Sequence, residues 1–263
     1  MRLFWELAKL SFQRQLTYRA ATLAGLATNF FFGILRASVL IGLYGARREV
    51  AGISLAGAVT YTGLTQAVIA FLSSFGWYEV MNSVYSGEIG SDLLKPMNFF
   101  TFWLAKDLGR AVANFFTRGL TIMLAYALMF DVTWPSTAVQ WLALGLAIVL
   151  SWLLSFSWRF LVNLTAFWTP NAYGVIRLAF ILSWFLTGFF MPLRFFPKWA
   201  VQFAYLTPFP HTVNTITEIY LGLVTGPALI GALSGQLLWI LILIGAGQLV
   251  LRAGVRRLVI QGG

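Results

Sequence analysis

Apolar segments of about 20 residues recur along nearly the whole chain, and each is long enough to cross a lipid bilayer. A helix satisfies its own backbone hydrogen bonds in lipid, and ~20 residues at ~1.5 Å per residue cover a hydrocarbon core of ~30 Å. Only 10% of the 263 residues are charged, so no large soluble domain fits between these segments. The sequence therefore predicts a single all-α polytopic membrane domain over residues 1–263. Its six transmembrane helices are placed at residues 21–44, 55–75, 111–130, 138–163, 174–192 and 227–251.

The distribution of basic residues indicates which side of the membrane the two ends of the chain face. Six crossings put both ends on one side, and cytoplasmic loops carry an excess of Lys and Arg. With both ends in the cytoplasm, 13 of the 18 basic residues lie inside and four lie outside. The four outside are Arg47, Arg48, Arg194 and Lys198. We therefore expect a multi-pass protein of the inner (plasma) membrane with both termini in the cytoplasm.

Residues 1–19 are predicted to form a helix that lies in the membrane interface. Its polar stripe comprises Arg2, Glu6, Lys9 and Gln13, and the nearly opposite apolar stripe comprises Phe4, Ala8 and Phe12. The alternative is that the first span simply begins early, but four basic residues within nineteen make burial in lipid costly. The net charge of +10 is spread over short inter-span segments. We therefore expect anionic lipid headgroups, and not nucleic acid, as the neighbours of the basic residues.

A short charged segment, residues 86–96, lies on the cytoplasmic side between the second and third predicted spans. On a helix its side chains fall on two faces, because residues three and four apart are neighbours. One face carries Glu88, Asp92 and Lys95, and the other carries Ile89 and Leu93. Pro96 cannot continue a helix, which bounds the unit at about three turns. The segment is either a contact site for a soluble partner or an ordinary solvated loop.

Few ionisable residues lie inside the predicted spans. Arg36 is about eight residues from the outer end of the first span, so both membrane anchoring and substrate contact are open to it. Arg159 lies near the inner end of the fourth span. Residues 98–110, which include Asp107, are expected to run along the inner interface before the third span. No carboxylate then falls in the middle of a span, which disfavours an ion-coupled transporter.

Residues 193–222 are apolar enough to enter the membrane, but their prolines and polar residues make a full crossing unfavourable. A crossing here would also move the basic C-terminal end outside, against the charge rule. We therefore expect an extracellular, re-entrant helical hairpin whose irregular backbone is shielded by protein or lines a cavity. This hairpin would sit over the outer mouth of any pathway.

The sequence lacks the residue patterns of an enzyme. It has no cysteine and a single histidine, His211, so a metal site built from these ligands is not expected. No GxxxxGK(S/T) phosphate loop occurs, so the chain should not bind ATP by that route. We expect no catalytic residue, bound cofactor or metal in this chain. Any energy taken from ATP must come through another subunit.

Two motifs resemble those of ABC transporter permease subunits of the type 2 exporter class. More narrowly, the whole chain is similar to the six-span family often described as multidrug, antibiotic or viologen exporter permeases. The motif between the second and third spans is matched by Gly87, Leu93, Leu94, Lys95 and Pro96. The late motif before the last span is matched by Gly188, Pro192, Pro197, Pro208, Phe209, Leu221 and Gly222. Thr217 departs from the family pattern, which favours proline there.

The resemblance implies a mechanism in which two permeases pair and sit on two cytoplasmic ATPase subunits. ATP and Mg would bind to those ATPase subunits, and the second permease would be the same chain or a homologous one. The 86–96 segment would be the coupling helix in a groove of the ATPase. Its contact residues would be Glu88, Ile89, Asp92, Leu93, Leu94, Lys95 and Pro96. The 193–222 hairpin would work as part of the outer gate, and its candidate gate residues would be Pro192, Pro197, Pro208, Phe209, Pro210 and Glu218.

The function that follows is export of a hydrophobic or amphipathic substrate such as a drug, an antibiotic or a lipid-like molecule. An ion-coupled secondary transporter that acts without an ATPase is the alternative from another class. A membrane scaffold without transport activity would show the same topology. The sequence leaves open the identity of the substrate.

Overall fold

A computed structural model of the chain describes residues 2–169 and 171–258. The fold is almost entirely helical, which confirms the predicted all-α polytopic membrane class. The α-helices in chain order are α1 Arg2–Thr17, α2 Arg19–Tyr44, α3 Leu55–Leu72, α4 Glu79–Tyr85, α5 Ile89–Leu93, α6 Phe99–Asn114, α7 Thr121–Met129, α8 Ala138–Asn163, α9 Tyr173–Leu186, α10 Lys198–Tyr205, α11 Asn214–Tyr220 and α12 Gly226–Val255. Two short antiparallel strands, β1 Glu49–Val50 and β2 Ile53–Ser54, connect α2 to α3.

Five of the helical segments in the described residues are long and apolar enough to cross a membrane. The fifth predicted crossing, residues 174–192, contains only the 14-residue helix α9, which spans about 21 Å at the usual rise. Helix α9 ends at Leu186 because the chain turns at Thr187 and Gly188. The backbone from residue 187 to Pro197 continues as turns and a short 3-10 helix, so the crossing is part helix and part irregular chain.

Helix α3 occupies the centre of the bundle. Nearly all of its residues are buried, and it packs against α2, α7, α8 and α11. An encircled helix needs no polar face, and the hydroxyl groups of α3 are instead paired within the protein. Examples are Thr62, whose hydroxyl lies 3.1 Å from the Tyr126 hydroxyl, and Tyr61, whose hydroxyl donates to the Gly188 carbonyl at 2.6 Å.

The third crossing differs from the prediction at its start. We expected residues 98–110 to lie along the interface and the span to begin at 111. The structure instead has one 31-residue helical segment from Phe99 to Met129, formed by α6, a π-helical turn Phe115–Leu120 and α7. The side chain of Asn98 caps the start of α6 by accepting from the amides of Phe100 and Thr101. The charges on α6 do not prevent its burial because each forms an ion pair within the protein, as described below.

Helix α1 lies along α6 instead of standing free on the lipid surface. Ala8 is buried in this contact, and the Ser11 hydroxyl donates to the Lys106 carbonyl at 2.5 Å. Gly109 allows the close approach, since a Cβ there would meet the Ala8 carbonyl oxygen and the Phe12 amide. At the other end of the chain, Gly254 of α12 packs against Phe167. Both terminal helices therefore reach the end of the bundle that carries α4 and α5.

The predicted hairpin, residues 193–222, enters the bundle. Two short helices, α10 and α11, flank a 3-10 turn at Phe209–His211. The Phe209 ring packs edge-on against Trp158 with centroids 5.0 Å apart, and the His211 carbonyl accepts from the hydroxyl of Ser151 in the middle of α8. The tip of this hairpin thus reaches deep between α8 and α12, which is the geometry of a re-entrant element.

Candidate coupling site

The 86–96 segment forms the second half of a compact helical turn that projects from the end of the bundle. Helix α4 ends at Tyr85, the chain reverses at Gly87, and α5 follows as a single turn. Gly87 has φ +80°, a conformation that favours glycine, and its amide donates to the Val84 carbonyl. Only Ile89–Leu93 is helical, so the unit is shorter than the three turns predicted from sequence.

Asp92 anchors this segment to the protein. One carboxylate oxygen accepts from the Ser83 hydroxyl of α4 at 2.6 Å, and the other accepts from the Lys95 ammonium at 2.5 Å. The Lys95 nitrogen also lies 3.9 Å from the centroid of the Phe102 ring on α6. Ile89, on the same inward side, is buried among the aromatic residues of the core. Asp92 and Ile89 therefore hold the segment in place and do not face outward.

The outward surface of the segment matches neither predicted face: it keeps Glu88 and Lys95 of the charged face, loses Asp92 and adds Leu94 and Pro96. Leu94 is 87% exposed, and Glu88, Lys95 and Pro96 are exposed beside it. Leu93 is half-buried against the core. Helix α5 is only one turn long. The faces of a longer helix therefore do not predict which of its side chains are exposed to solvent. An exposed leucine therefore lies beside one acid and one base on the outward side of the segment.

A second contact ties α4 to α6. The Glu79 carboxylate lies 3.4 Å from the Lys106 ammonium, which in turn lies 4.0 Å from the centroid of the Trp103 ring. Tyr78, at the start of α4, stacks on Tyr173 at the start of α9 with centroids 4.6 Å apart. Partial burial raises the pKa of the Tyr78 phenol above its usual value, so the hydroxyl stays neutral at physiological pH.

Asn163, the last residue of α8, connects that long helix to α4. Its side-chain amide donates to the carbonyls of Trp77 and Arg159, both at 2.8 Å, and its carbonyl accepts from the Met81 amide at 3.1 Å. The Met81 amide belongs to the first turn of α4, which has no acceptor within the helix. Asn163 thus joins the start of α4 to the end of α8.

Behind this contact lies a buried charge cluster, which we define as Asp107 and Arg110 of α6 and Arg159 of α8. Arg159 donates to both oxygens of Asp107, at 3.0 and 2.8 Å, while Arg110 donates to Asp107 at 2.9 Å. Trp152 adds an indole N–H bond at 2.9 Å. Asp107 and Arg159 are fully buried. The sequence places Asp107 and Arg159 at the same inner boundary, but 52 residues apart they carry no local signal that pairs them, so the cluster was not predicted.

The charge cluster also holds the end of the central helix. Arg110 donates to the Phe71 carbonyl at 3.0 Å, and the Ser155 hydroxyl donates to the Leu72 carbonyl at 3.2 Å. These carbonyls are in the last turn of α3, where they lack partners within the helix and carry partial negative charge. The net positive charge of the cluster is therefore stabilised by the end of α3. Helices α3, α6 and α8 meet at this one point, next to α4.

The candidate gate residues lie in and around the 193–222 hairpin. Arg194 donates to the Glu218 carboxylate at 2.6 Å and to the Leu223 carbonyl at 3.1 Å, which joins the two ends of the hairpin. The prolines start its short helices: Pro192 and Pro197 precede a 3-10 turn and α10, and Pro208, Phe209 and Pro210 form the turn at the tip. Phe209 is thus a tip residue, whereas Glu218 lies on the returning helix.

Arg36 does not extend to the membrane surface. Its guanidinium donates to the Thr65 hydroxyl of α3 at 3.1 Å and lies 4.7 Å from the centroid of the Phe189 ring. No carboxylate within the described residues forms an ion pair with it. Of the two roles left open by the sequence, this inward orientation disfavours simple anchoring.

Within residues 2–169 and 171–258, no group of three or more His, Cys, Asp or Glu side chains is placed to hold a metal ion. In this arrangement, Leu94 is exposed on a segment that is hydrogen-bonded to α4. Helix α4 in turn contacts α8 and α6.

Comparison with known protein families matches residues 29–262 to the ABC-2 family transporter protein. Comparison with curated proteins gives no match. The family match covers both the 86–96 segment and the 193–222 hairpin, the two places where the sequence motifs indicate the same relationship, and it confirms the resemblance. The chain therefore belongs to the ABC-2 family of transporter membrane proteins.

Proposed function

We propose that this chain is the permease subunit of an ATP-driven exporter and that its 86–96 segment is the contact with a separate ATPase subunit. The observation that carries the proposal is the exposure of Leu94 at the tip of a segment whose other side is fixed by Ile89 and Asp92. Burial of this leucine in an apolar pocket of a partner would remove its side chain from water, which is favourable. ATP and Mg would bind to the ATPase subunit.

A chain of hydrogen bonds and ion pairs connects the 86–96 segment to helices α8 and α6. Asp92 and Ser83 link α5 to α4, Asn163 links α4 to α8, and Asp107 with Arg159 links α8 to α6. Each link is a hydrogen bond or ion pair between buried groups, which resists stretching more than an exposed contact does. The segment would therefore move as a unit with the ends of α6 and α8.

The substrate pathway would lie between two permeases, each contributing one chain of this fold. Helices α2, α9 and α12 present many exposed apolar side chains, including Phe31 and Leu35 of α2 and Leu178 and Leu182 of α9. These surfaces suit contact with lipid, with a second permease or with a hydrophobic or amphipathic substrate such as a drug, an antibiotic or a lipid-like molecule. The hairpin at residues 193–222 would act as the outer gate.

The test is co-purification of the permease with its ATPase subunit after Leu94→Asp. A charge at a buried apolar contact should lower retention of the ATPase by about tenfold or more, while the permease itself remains folded because Leu94 makes no core contact. Leu206→Asp is the matched control, since Leu206 is a similarly exposed leucine on the 193–222 hairpin.

Equal retention of the ATPase by the Leu94→Asp variant and the wild-type protein would refute the coupling role. Transport into sealed vesicles driven by a proton or sodium gradient without ATP would instead support an ion-coupled carrier. Ile89 and Asp92 are poor choices for this experiment because both are buried and their substitution would disturb the fold.

A further inference from the structure

A groove separates helix α1 from the 86–96 segment and the first turns of α6. Its volume is about 460 Å³, and it is lined mainly by apolar side chains, among them Leu7 and Leu10 of α1 and Phe102 of α6. Three cationic residues also line it, and none of its lining residues is acidic. The groove is therefore both apolar and electropositive.

The three cations approach the groove from both walls. Lys95 and Lys106 both lie close to the Phe102 ring, with their nitrogens 3.9 and 5.4 Å from its centroid. Each is held in position by one carboxylate behind it, Asp92 for Lys95 and Glu79 for Lys106. Arg14 faces them from α1 and forms no ion pair among the described residues. One guanidinium is thus free to bind an anion.

Helix α1 carries exposed apolar side chains beside the groove. Leu3, Trp5 and Leu10 are all more than two-fifths exposed. A tryptophan and leucines next to basic residues on one helix are typical of a surface that lies at the boundary between headgroups and acyl chains. A soluble acidic protein would satisfy the cations but would leave this apolar surface in water.

We propose that the groove is a binding site for one anionic phospholipid of the adjacent leaflet. The phosphate contacts Arg14, with Lys95 and Lys106 adding charge, and the upper part of an acyl chain lies against Leu7, Leu10 and Phe102. Charge complementarity and the apolar lining both favour this occupant over an acidic segment of a protein. Since Lys95 belongs to the 86–96 segment, the bound lipid would also touch the candidate coupling site.

The test is native mass spectrometry of the purified protein after incubation with palmitoyl-oleoyl phosphatidylglycerol or with the matching phosphatidylcholine. We expect wild-type protein to retain the anionic lipid preferentially. Arg14→Gln should reduce that retention by about fivefold, the effect typical of one basic residue at an anionic membrane surface. Arg2→Gln is the matched control, because Arg2 lies on the same helix, is exposed and does not line the groove.

A second variant tests the apolar half of the site without changing charge. Leu10→Trp should fill the groove and lower retention of phosphatidylglycerol, whereas its effect on folding should be small because Leu10 is 60% exposed. Equal retention of the two lipids by wild-type protein, or an equal loss in the Arg14→Gln and Arg2→Gln variants, would overturn the proposal. The measurement involves no ATPase, so its outcome is separate from that of the coupling proposal.

The ATPase subunit is the other candidate occupant of the groove, and protection of a cysteine from labelling distinguishes it from lipid. The chain has no cysteine, so Leu10→Cys introduces a unique thiol into the groove. Labelling of this thiol with a polar maleimide should be slowed by phosphatidylglycerol in nanodiscs. If labelling is slowed only when the ATPase subunit is added, the groove is a protein interface and the lipid assignment is wrong.

Discussion

The guanidinium of Arg159 donates two hydrogen bonds to the carboxylate of Asp107, from Nη1 to Oδ1 at 3.0 Å and from Nη2 to Oδ2 at 2.8 Å. Both side chains are fully buried where α6 and α8 meet, next to the helical turn that carries the candidate coupling site. A bidentate pair fixes the relative position of two helices more strictly than apolar packing does. This contact is therefore suited to passing a displacement from one helix to the other.

Replacing Asp107 by Asn should destabilise the protein strongly. Asp107 is the only acidic member of the charge cluster, so its neutralisation leaves Arg110 and Arg159 buried without a counter-charge. Breaking one side of a buried ion pair typically costs about 3–5 kcal/mol. We expect a large fall in the melting temperature measured by fluorescence-detected size-exclusion chromatography.

Arg159→Met provides the comparison for this prediction. It leaves Asp107 paired with Arg110, so no net charge remains in the cluster and the loss of stability should be smaller than for Asp107→Asn. An Asp107→Asn variant that melts like the wild-type protein would contradict the assigned role of the cluster.

Substituting Asn163 by Ala should loosen α4 and α5 more than it destabilises the rest of the bundle. The change leaves the Met81 amide without an acceptor and the Trp77 carbonyl without a donor, which typically costs about 1–3 kcal/mol. Hydrogen exchange measured by mass spectrometry should show faster exchange in residues 79–93. Asn82→Ala is the control, because Asn82 is an exposed residue of α4. Identical exchange in the two variants would rule out Asn163 as the link.

The amino-acid sequence was sufficient to predict the helical membrane class, the presence of a helix at residues 1–19 and an interrupted hairpin before the last span. These follow from local signals: apolar length, polar and apolar stripes, and prolines. The charge cluster depends on packing between residues far apart in sequence. From sequence alone, its carboxylate, Asp107, is assigned to the inner membrane interface. Asp107 and Arg110, three residues apart in a strongly aromatic segment, were the available signal, but only the fold brings Arg159 to them.

The outward surface of the 86–96 segment could not be deduced for a related reason. Helical periodicity assigns Glu88 and Asp92 to the same face, but α5 is a single turn and its orientation is set by the core that receives Ile89. Asp92 therefore points inward to Ser83 while Glu88 remains exposed. Periodicity is informative over several turns and loses its meaning over one.

Substituting Gly109 by Ala should displace α1 from α6. The added methyl group would meet the Ala8 carbonyl oxygen, a backbone atom that cannot rotate away, so the two helices must move apart. Brief trypsin treatment in detergent should then cleave faster after Arg14 and Arg19. Gly245→Ala is the matched control, since a Cβ at that helical glycine meets nothing within 4 Å. Unchanged cleavage in Gly109→Ala would show that α1 is not held by this contact.

Gly235 of α12 should be required for the depth to which the 193–222 hairpin enters the bundle. A Cβ at this position would lie 3.1 Å from ring atoms of His211 and closer still to Cε1, so Gly235→Ala must push the tip of the hairpin outward. The carbonyl of His211 would then lose bonds from Ser151 and Gln236, now 3.2 and 2.8 Å long.

The sequence offers a closely matched control for this change. Gly231 lies one helical turn earlier on α12, and a Cβ there meets nothing within 4 Å. Gly231→Ala should therefore leave stability unchanged within about 0.5 kcal/mol, whereas Gly235→Ala should cost about 1–3 kcal/mol.

A single cysteine introduced by Phe203→Cys reports the position of α10 through its rate of maleimide labelling. Faster labelling in Gly235→Ala but not in Gly231→Ala is expected, because only the former forces the hairpin out; equal rates would mean that the tip is held by other contacts.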